Sequence, residues 1–533
     1  MSKKSKVKIN MREVFTDIIS KLVGVYVFLM LCVFPLFAID KYYNILEEKY
    51  YFFYIVTAAT AGLVAVVGLI GLLGGAFKKK KDSNDEEKRE NLLKKLWNAL
   101  TVTDRFIILF IIAAALSTCF SAWPYEAMWG NMGRLQGLFF YILAVTAYFL
   151  ISRFFKPTET MVYLFLTSGA LVALWGISDY LGMDIFGWRA DANDYHAMLN
   201  FTSSIGNVNS FTAVIAIYFG AALAMAVGSE KPYYAYLLLF IYSIALITGI
   251  SDNAVLGIGG VCAVLPFVLF DNLKLTGKYV IGIGVFALSL AFTGTLPLWY
   301  DRTPIQPGTG LLRSFAYDYY KYFFVMAFIL FLIGAAFIYA DTRKPGRRVK
   351  LLKPAWGVLC ALVIIAVILA FVDANSGEHE ELWKPYAQIF VFSDKWGSNR
   401  GYAWKKAFEF FKDFSFAKML IGTGPETYAI AMIENYYQEM LDKMRVVFDS
   451  PHSEPIQYLF TTGILGFTGY YGAVVSSCIR GLKGSYVVRA FAAGLIGVTF
   501  TSVINISVPI VTPLVIIMMA VAATTVNIEK KTD

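Results

Sequence analysis

The chain has 533 residues, of which 58% are hydrophobic and only 16% carry a charge at neutral pH. Soluble globular domains carry about a quarter charged residues, so the composition excludes that class. The formal net charge is +9, but the lysines and arginines cluster beside apolar runs, as they do when they set membrane topology. We therefore expect membrane lipid as a partner and no nucleic acid.

Apolar runs recur along the whole chain, and a run of about 18 residues or more is long enough to cross a bilayer. We predict an all-α polytopic membrane protein with about fourteen transmembrane helices and no fewer than about twelve. The first run, Leu22–Ile39, lacks a small-residue cleavage pattern and is expected to remain as a helix. The predicted spans are roughly 21–39, 52–77, 104–121, 136–152, 159–180, 209–228, 233–250, 255–270, 278–296, 322–340, 354–373, 455–474, 485–505 and 509–527.

The distribution of lysine and arginine predicts the orientation of these spans. With a cytoplasmic N-terminus, the basic segments "KKKKDSNDEEKRENLLKK" and "DTRKPGRRVKLLK" both lie inside, and an even number of spans returns the C-terminus to the same side. We expect a multi-pass protein of the cell (cytoplasmic) membrane, with its active site on the extracytoplasmic face. The predicted extracytoplasmic loops are 121–135, 181–208, 297–321 and 374–454.

The chain divides into three predicted regions: transmembrane helices 1–11 (residues 1–373), a large extracytoplasmic loop (374–454) and transmembrane helices 12–14 (455–533). In the loop, "RGYAWKKAFEFFKDF" places Trp404, Phe408 and Phe411 at i, i+4 and i+7. This spacing predicts an amphipathic helix lying in the membrane interface. A glycine-rich turn and a second helix follow it.

His452 stands two residues before Glu454, immediately before the twelfth apolar run. A histidine has a pKa of about 6.5 when unperturbed and suits a general base. Glu454 either orients that histidine, replaces it as base, or is a charge that stabilises the start of a helix. The other histidines, His196 and His379, stand in no comparable pattern.

Several motifs, in order along one predicted face, resemble the O-antigen ligase/O-antigen polymerase family. The segment "HSEPIQYLFTTGILG" is similar to the family's histidine signature, although Ser453 and Thr461 depart from the common residues. The motif residues upstream are Arg134 in "MWGNMGRLQGLFFY", Asn207 in "SSIGNVNSFTA", and Arg400, Trp404, Gly422 and Gly424 in "NRGYAWKKAFEFFKDFSFAKMLIGTGPETY".

This resemblance implies a GT-C-like, metal-independent membrane glycosyltransferase without a cofactor. Family members take a glycan from an undecaprenyl diphosphate carrier and pass it to a glycan, lipid or protein acceptor in cell-envelope polysaccharide biosynthesis. It implies that Arg134 and Arg400 bind the diphosphate, that His452 and Glu454 are catalytic, and that the other motif residues support them. The motifs do not separate a ligase from a polymerase.

The chemistry of glycan transfer requires cations for the leaving diphosphate and a base for the incoming hydroxyl. Arginine suits the first task because its planar guanidinium binds phosphate through two hydrogen bonds. The alternative function is a transporter or flippase of lipid-linked oligosaccharides, which predicts charged or glycine-broken segments in mid-membrane. A third class, a sensor or scaffold, accounts for the large loop but not for the histidine and arginines.

Overall fold

The structure is a computed structural model that describes residues 10–74, 76, 92–131, 134–189, 201–300, 310–346 and 349–525. This part of the chain is mainly α-helical, with one short antiparallel pair of strands, β1 (Phe201–Thr202) and β2 (Gly206–Asn207). The helices of the first half are α1 (Met11–Phe28), α2 (Ile45–Leu73), α3 (Leu92–Ala99), α4 (Val102–Cys119), α5 (Pro124–Trp129), α6 (Leu138–Phe154), α7 (Glu159–Tyr180), α8 (Val208–Gly228), α9 (Tyr233–Thr248), α10 (Asn253–Val264) and α11 (Pro266–Leu269).

The second half continues with helices of very different lengths. These are α12 (Leu273–Trp299), α13 (Leu311–Arg343), α14 (Leu352–Ala374), α15 (Glu380–Trp383), α16 (Ala387–Phe390), α17 (Trp396–Lys412), α18 (Phe416–Ile421), α19 (Tyr428–Met444), α20 (Glu454–Leu482), α21 (Tyr486–Thr501) and α22 (Thr512–Ala522). A π-helical turn (Leu29–Val33) and a 3₁₀ turn (Phe34–Leu36) extend α1.

Within the described residues, nine helical segments are long and apolar enough to cross a membrane, judged by length and composition. This confirms an all-α integral membrane protein. Four more apolar helices are shorter, namely α6, α9, α10 with α11, and α22. The predicted twelfth span coincides with α20, which belongs to neither group. The count of fourteen spans, the GT-C-like fold and the division into three regions stay predictions.

Helix α8 lies at the centre of the bundle and is buried along almost its whole length. Small residues let α21 approach it closely: a Cβ atom at Gly220 would lie 2.4 Å from the carbonyl oxygen of Ala493, and one at Gly497 would lie 2.5 Å from that of Ala216. Close approach through small residues is how membrane helices gain packing contacts without a hydrophobic driving force.

Helix α14 shows the opposite behaviour, because none of its most apolar 18-residue window is buried inside the protein. An apolar surface of this kind is stable only against lipid. Helix α14 therefore forms the outer edge of the bundle and ends at Ala374, where the long loop begins.

The chain bends within α20, where Gly463 has φ +66° and ψ −172°. The left-handed backbone suits glycine because any side chain is strained there. The close approach of α18 adds a second constraint, since a Cβ atom at Gly463 would lie 2.3 Å from the carbonyl oxygen of Leu420. The bend seats the loop helices against the bundle.

Candidate active site

Helices α17 and α19 of the long loop pack against each other around a small hydrophobic core. Tyr402, Ala407 and Met432 are fully or almost fully buried in it, together with Phe460 from α20. The predicted apolar stripe only partly faces this core: Phe411 packs against it, whereas Phe408 is 45% exposed. The loop is therefore a packed unit, and a second, buried face of α17 was not predicted from the spacing.

The polar side of α17 also differs from the simple amphipathic pattern. Lys406, expected on the polar face, is only 15% exposed and bonds Glu409 at 2.8 Å and Glu439 of α19 at 3.1 Å. These two carboxylates raise the pKa of Lys406, although burial acts in the opposite direction. Lys406 thus ties the two loop helices together.

The glycine-rich turn between α18 and α19 attaches the loop to α20. Gly422 and Gly424 both have positive φ, +78° and +118°. The amide of Gly424 donates to the carbonyl of Thr461 (2.9 Å), which also accepts from the hydroxyl of Ser117 in α4 (2.6 Å). A Cβ atom at Gly422 would lie 2.4 Å from the backbone of Thr461. Gly422 is therefore required by close backbone packing, and Gly424 by its positive φ and by the nearby side chains of Ser121 and Ala127.

Arg134 is buried in the loop before α6 and is 7% exposed. Its Nη2 atom donates to Oδ2 of Asp449 at 2.7 Å. Asp449 is three residues before His452, so this ion pair fixes Arg134 beside the predicted histidine. One nitrogen of the Arg134 guanidinium is therefore already paired with Asp449, a carboxylate that the sequence analysis did not predict to belong to the site.

Arg400 lies in the first turns of α17, after three residues with left-handed backbone, Gly397, Ser398 and Asn399. Its Nη1 atom donates to the carbonyl of Gly397 at 2.7 Å. Its Nε atom is buried and has no hydrogen-bond partner among the described residues. Burial lowers the pKa of this guanidinium, against the opposing charge of Asp252. Arg400 is thus a desolvated cation with unused hydrogen-bonding capacity.

Trp404 connects α17 to the histidine segment. Its indole Nε1 donates to the carbonyl of Pro451 at 2.8 Å, and its ring lies 5.1 Å from that of Trp396. Because Pro451 precedes His452, this hydrogen bond holds the histidine backbone against the helix that carries Arg400.

His452 has a left-handed backbone (φ +49°), and its amide faces the hydroxyl of Ser450 at 3.4 Å. Burial and the charges of Arg400 and Arg134 together lower the pKa of His452 to about 4, whereas the charge of Asp449 acts in the opposite direction. The expected pKa near neutrality is therefore not found. The imidazole is neutral at pH 7, which is the form that accepts a proton, but it is a weak base.

Glu454 occupies the first turn of α20 and is 7% exposed. The hydroxyl of Tyr470 lies 3.3 Å from its Oε1 atom, and those of Ser502 and Ser507 are close to the same carboxyl. These groups belong to the bundle, and no hydrogen bond joins the described side chains of His452 and Glu454. The structure thus separates the two predicted catalytic groups into different surroundings.

Asn207 caps α8: its Oδ1 atom accepts hydrogen bonds from the amides of Asn209 (2.8 Å) and Ser210 (3.4 Å). Helix capping explains why an asparagine stands at this position of the family-like turn. The supporting role of Asn207 in the site stays a prediction. Among the other histidines, His379 pairs with Asp373 at 3.0 Å, and His196 lies outside the described residues.

The sequence analysis missed a buried carboxylate in the glycine-rich turn. Glu426 is 7% exposed and has φ +59°. Burial and the charge of Asp449 raise the pKa of Glu426 to about 7, and the charge of Arg134 opposes this rise. The sequence feature that could have identified Glu426 is its position two residues after Gly424, in a turn that the resemblance already marked.

Five side chains thus converge near the N-terminal end of α6 and the start of α20. Contacts join Arg134 to Asp449, and the charges of Arg134, Asp449 and Arg400 all act on His452. The same ion pair acts on Glu426. This arrangement offers two cations, a neutral imidazole and a buried carboxyl in one place.

Comparison with known families agrees with the motif analysis. Residues 323–471 match the family model described as O-antigen ligase, a region that includes Arg400, Glu426 and His452 but not Arg134. A search of curated proteins finds no match. The matched region is less than a third of the chain, so what it shows is a similarity of this integral membrane protein to the O-antigen ligase family.

Proposed function

We propose that this membrane glycosyltransferase takes a glycan from an undecaprenyl diphosphate carrier and joins it to an acceptor hydroxyl on the extracytoplasmic face of the cytoplasmic membrane. The convergence of Arg134, Arg400 and His452 is the observation that carries the proposal. O-antigen ligase-like glycan transfer in polysaccharide biosynthesis is what the family match supports. The donor, the class of acceptor and the sidedness are our extension of it.

In the proposed reaction the bond between the sugar C1 atom and the diphosphate oxygen breaks, and the electron pair stays on the diphosphate. Arg134 and Arg400 bind the negative charge that develops there. Desolvation of both arginines strengthens this interaction, because water no longer competes for the guanidinium groups.

The acceptor hydroxyl forms the new bond to C1 and loses its proton to His452. The neutral imidazole is available for this role at pH 7. Glu454 stabilises the start of α20, beside the histidine, through its contacts with Tyr470 and the neighbouring hydroxyls. In this scheme no metal is needed, because the arginines supply the positive charge.

The test is reconstitution of the purified protein in liposomes with an undecaprenyl-diphosphate oligosaccharide. Growth of the lipid-linked chain identifies a polymerase, and transfer to an added glycan, lipid or protein acceptor identifies a ligase. Equilibration of the donor across the bilayer without covalent transfer would contradict the proposal and favour the transporter.

A further inference from the structure

An apolar groove of about 370 Å³ lies between the last turns of α14 and the long loop, and we call it the α14 groove. On the side of the helix it is lined by Val367, Ile368, Phe371 and Val372. On the side of the loop it is lined by Phe392, Trp396 and Trp404. Its volume is in the range of small-molecule sites, and none of the seven lining side chains carries a charge.

The α14 groove opens to the hydrocarbon of the membrane. Val367, Ile368 and Val372 are each more than half exposed, in a helix whose one buried residue is Ala374 at its end. The lining reaches about 10 Å back from that end, given the rise per residue of an α-helix. A groove at this depth is filled by a hydrocarbon chain, because water is excluded from the core of the bilayer.

The loop side of the groove leads to Arg400. Trp396 stands four residues before Arg400, and a Cβ atom at Gly401 would lie 3.2 Å from the Cβ atom of Trp396. The buried Nε atom of Arg400 has no hydrogen-bond partner among the described residues. An anion at the end of a chain in the groove would therefore meet a guanidinium with unused donor capacity.

A second cation lies at the rim of the groove. The Nζ atom of Lys405 is 5.4 Å from the centroid of the Phe392 ring and 2.7 Å from Oδ1 of Asp394. Together with Arg400, this lysine makes the loop end of the groove basic, although one carboxylate is also present. The groove thus complements a hydrocarbon chain that ends in a phosphate group.

The same wall of the groove is attached to the histidine segment. The indole Nε1 atom of Trp404 donates to the carbonyl of Pro451 at 2.8 Å, and its ring lies 5.1 Å from that of Trp396. Since Pro451 precedes His452, a chain in the groove ends beside the candidate active site.

We propose that the α14 groove binds the isoprenoid chain of the lipid-linked donor, at the end that carries the diphosphate. This inference rests on the proposed function. Because the apolar lining continues up to Trp396, beside Arg400, the ligand must be hydrocarbon almost as far as its phosphate. An isoprenyl diphosphate meets this requirement, since its chain is bonded directly to the diphosphate. A phospholipid does not, because glycerol and ester groups separate its acyl chains from the phosphate.

Binding of undecaprenyl diphosphate to the full-length protein in phosphatidylcholine nanodiscs tests the proposal. Ile368→Trp fills the groove and should raise the Kd about tenfold or more. Ile365→Trp is the matched control, because Ile365 is also exposed on α14 but does not line the groove; its Kd should equal that of wild type. Both side chains face lipid, so both variants should fold. Equal Kd values in the two variants would overturn the proposal.

Photolabelling of the unmodified protein gives a second readout that no variant can disturb. An undecaprenyl diphosphate with a diazirine on its first isoprene unit should label peptides that contain residues 367–372 or 392–404. Labelling confined to other parts of the chain would overturn the proposal. Labelling of the same peptides by a diazirine phosphatidylcholine, undiminished by excess undecaprenyl diphosphate, would identify a phospholipid as the occupant and would also overturn it.

Transfer assays separate this proposal from the proposed function. In Ile368→Trp the KM for the donor should rise about tenfold with kcat close to wild type, as expected when binding alone is weakened. A wild-type KM in that variant would overturn the groove assignment and leave the proposed function intact. Specific labelling of the groove without transfer from any donor would instead contradict the proposed function, while supporting the groove as a lipid diphosphate site.

Discussion

The two ends of α6 each carry an arginine–aspartate pair, and the pairs differ in what surrounds them. At the C-terminal end, Asp104 accepts from Arg153, from the hydroxyl of Tyr148 (2.9 Å) and from the amide of Thr101 (2.7 Å). At the other end, about 25 Å away for a helix of this length, Arg134 pairs with Asp449, which is 45% exposed. Asp104 in the first pair has several further hydrogen-bond partners, whereas near the second pair the Nε atom of Arg400 has none among the described residues.

This difference separates a structural ion pair from a candidate catalytic one. A saturated buried pair has no capacity left for a ligand, and its contribution is to hold α4 against α6. Near His452, the buried Nε atom of Arg400 has no hydrogen-bond partner among the described residues. Unused polar groups in a buried place indicate where a substrate supplies the missing contacts.

The largest expected effect is that of His452→Ala. Removing the base should lower kcat by about 10²–10⁴-fold, while insertion and thermal stability stay close to wild type. The measurement is donor turnover in proteoliposomes. His379→Ala, a second histidine of the same loop with an exposed side chain, is the control and should stay fully active. A fully active His452→Ala protein would remove the histidine from the mechanism.

Arg400→Lys should have the next largest effect, with kcat/KM reduced about 10- to 100-fold, because an ammonium group cannot bind a diphosphate through two parallel hydrogen bonds. Arg445→Lys, at an exposed position after α19, is the matched control. Equal activity of the lysine and arginine forms at position 400 would show that only the charge matters there.

Gly422→Ala should destabilise the loop by about 1–3 kcal/mol, since the new methyl group overlaps the backbone of Thr461 and the residue has positive φ. Thermal unfolding in detergent measures this change. Gly346→Ala controls for positive φ alone, because nothing lies within 4 Å of a Cβ atom there. Equal loss of stability in both variants would contradict the close packing that we describe.

Arg153→Lys tests the comparison from the other end of α6. Lysine keeps the charge beside Asp104, so the expected loss of stability is about 1 kcal/mol, with kcat unchanged. An arginine-to-lysine substitution is thus expected to change mainly stability at position 153 and mainly activity at position 400. A drop in kcat as large as that of Arg400→Lys would mean that the saturated pair also takes part in the reaction.

The smallest expected effect is that of a chelator. Because we assign the stabilisation of the diphosphate to Arg134 and Arg400, EDTA should leave the rate of transfer unchanged. The control is the same preparation with added magnesium. Loss of transfer in EDTA, restored by magnesium, would assign part of that role to a metal ion.

The sequence predicted the helices well because long apolar runs have few alternatives to helix in a membrane. It also identified the residues that the structure brings together, since Arg134, Arg400 and His452 lie in motifs. It did not reveal the bend at Gly463, because a glycine in an apolar run is compatible with a straight membrane helix.

Other properties of the site depend on contacts between distant segments. The low pKa of His452 arises from burial and from Arg400 and Arg134, which no local pattern around the histidine contains. Likewise, Asp449 is identified as part of the site only by its ion pair with Arg134, which stands more than 300 positions earlier in the chain. Periodicity and motif spacing do not report such pairings.

The double use of the Thr461 carbonyl has a mechanical consequence. Because one oxygen accepts from both the glycine-rich turn and α4, displacing the turn would break hydrogen bonds that anchor the loop to the bundle. The first part of the loop, residues 375–396, consists of short and largely exposed helices. Displacing these residues to admit a bulky glycan would break fewer contacts than displacing the glycine-rich turn.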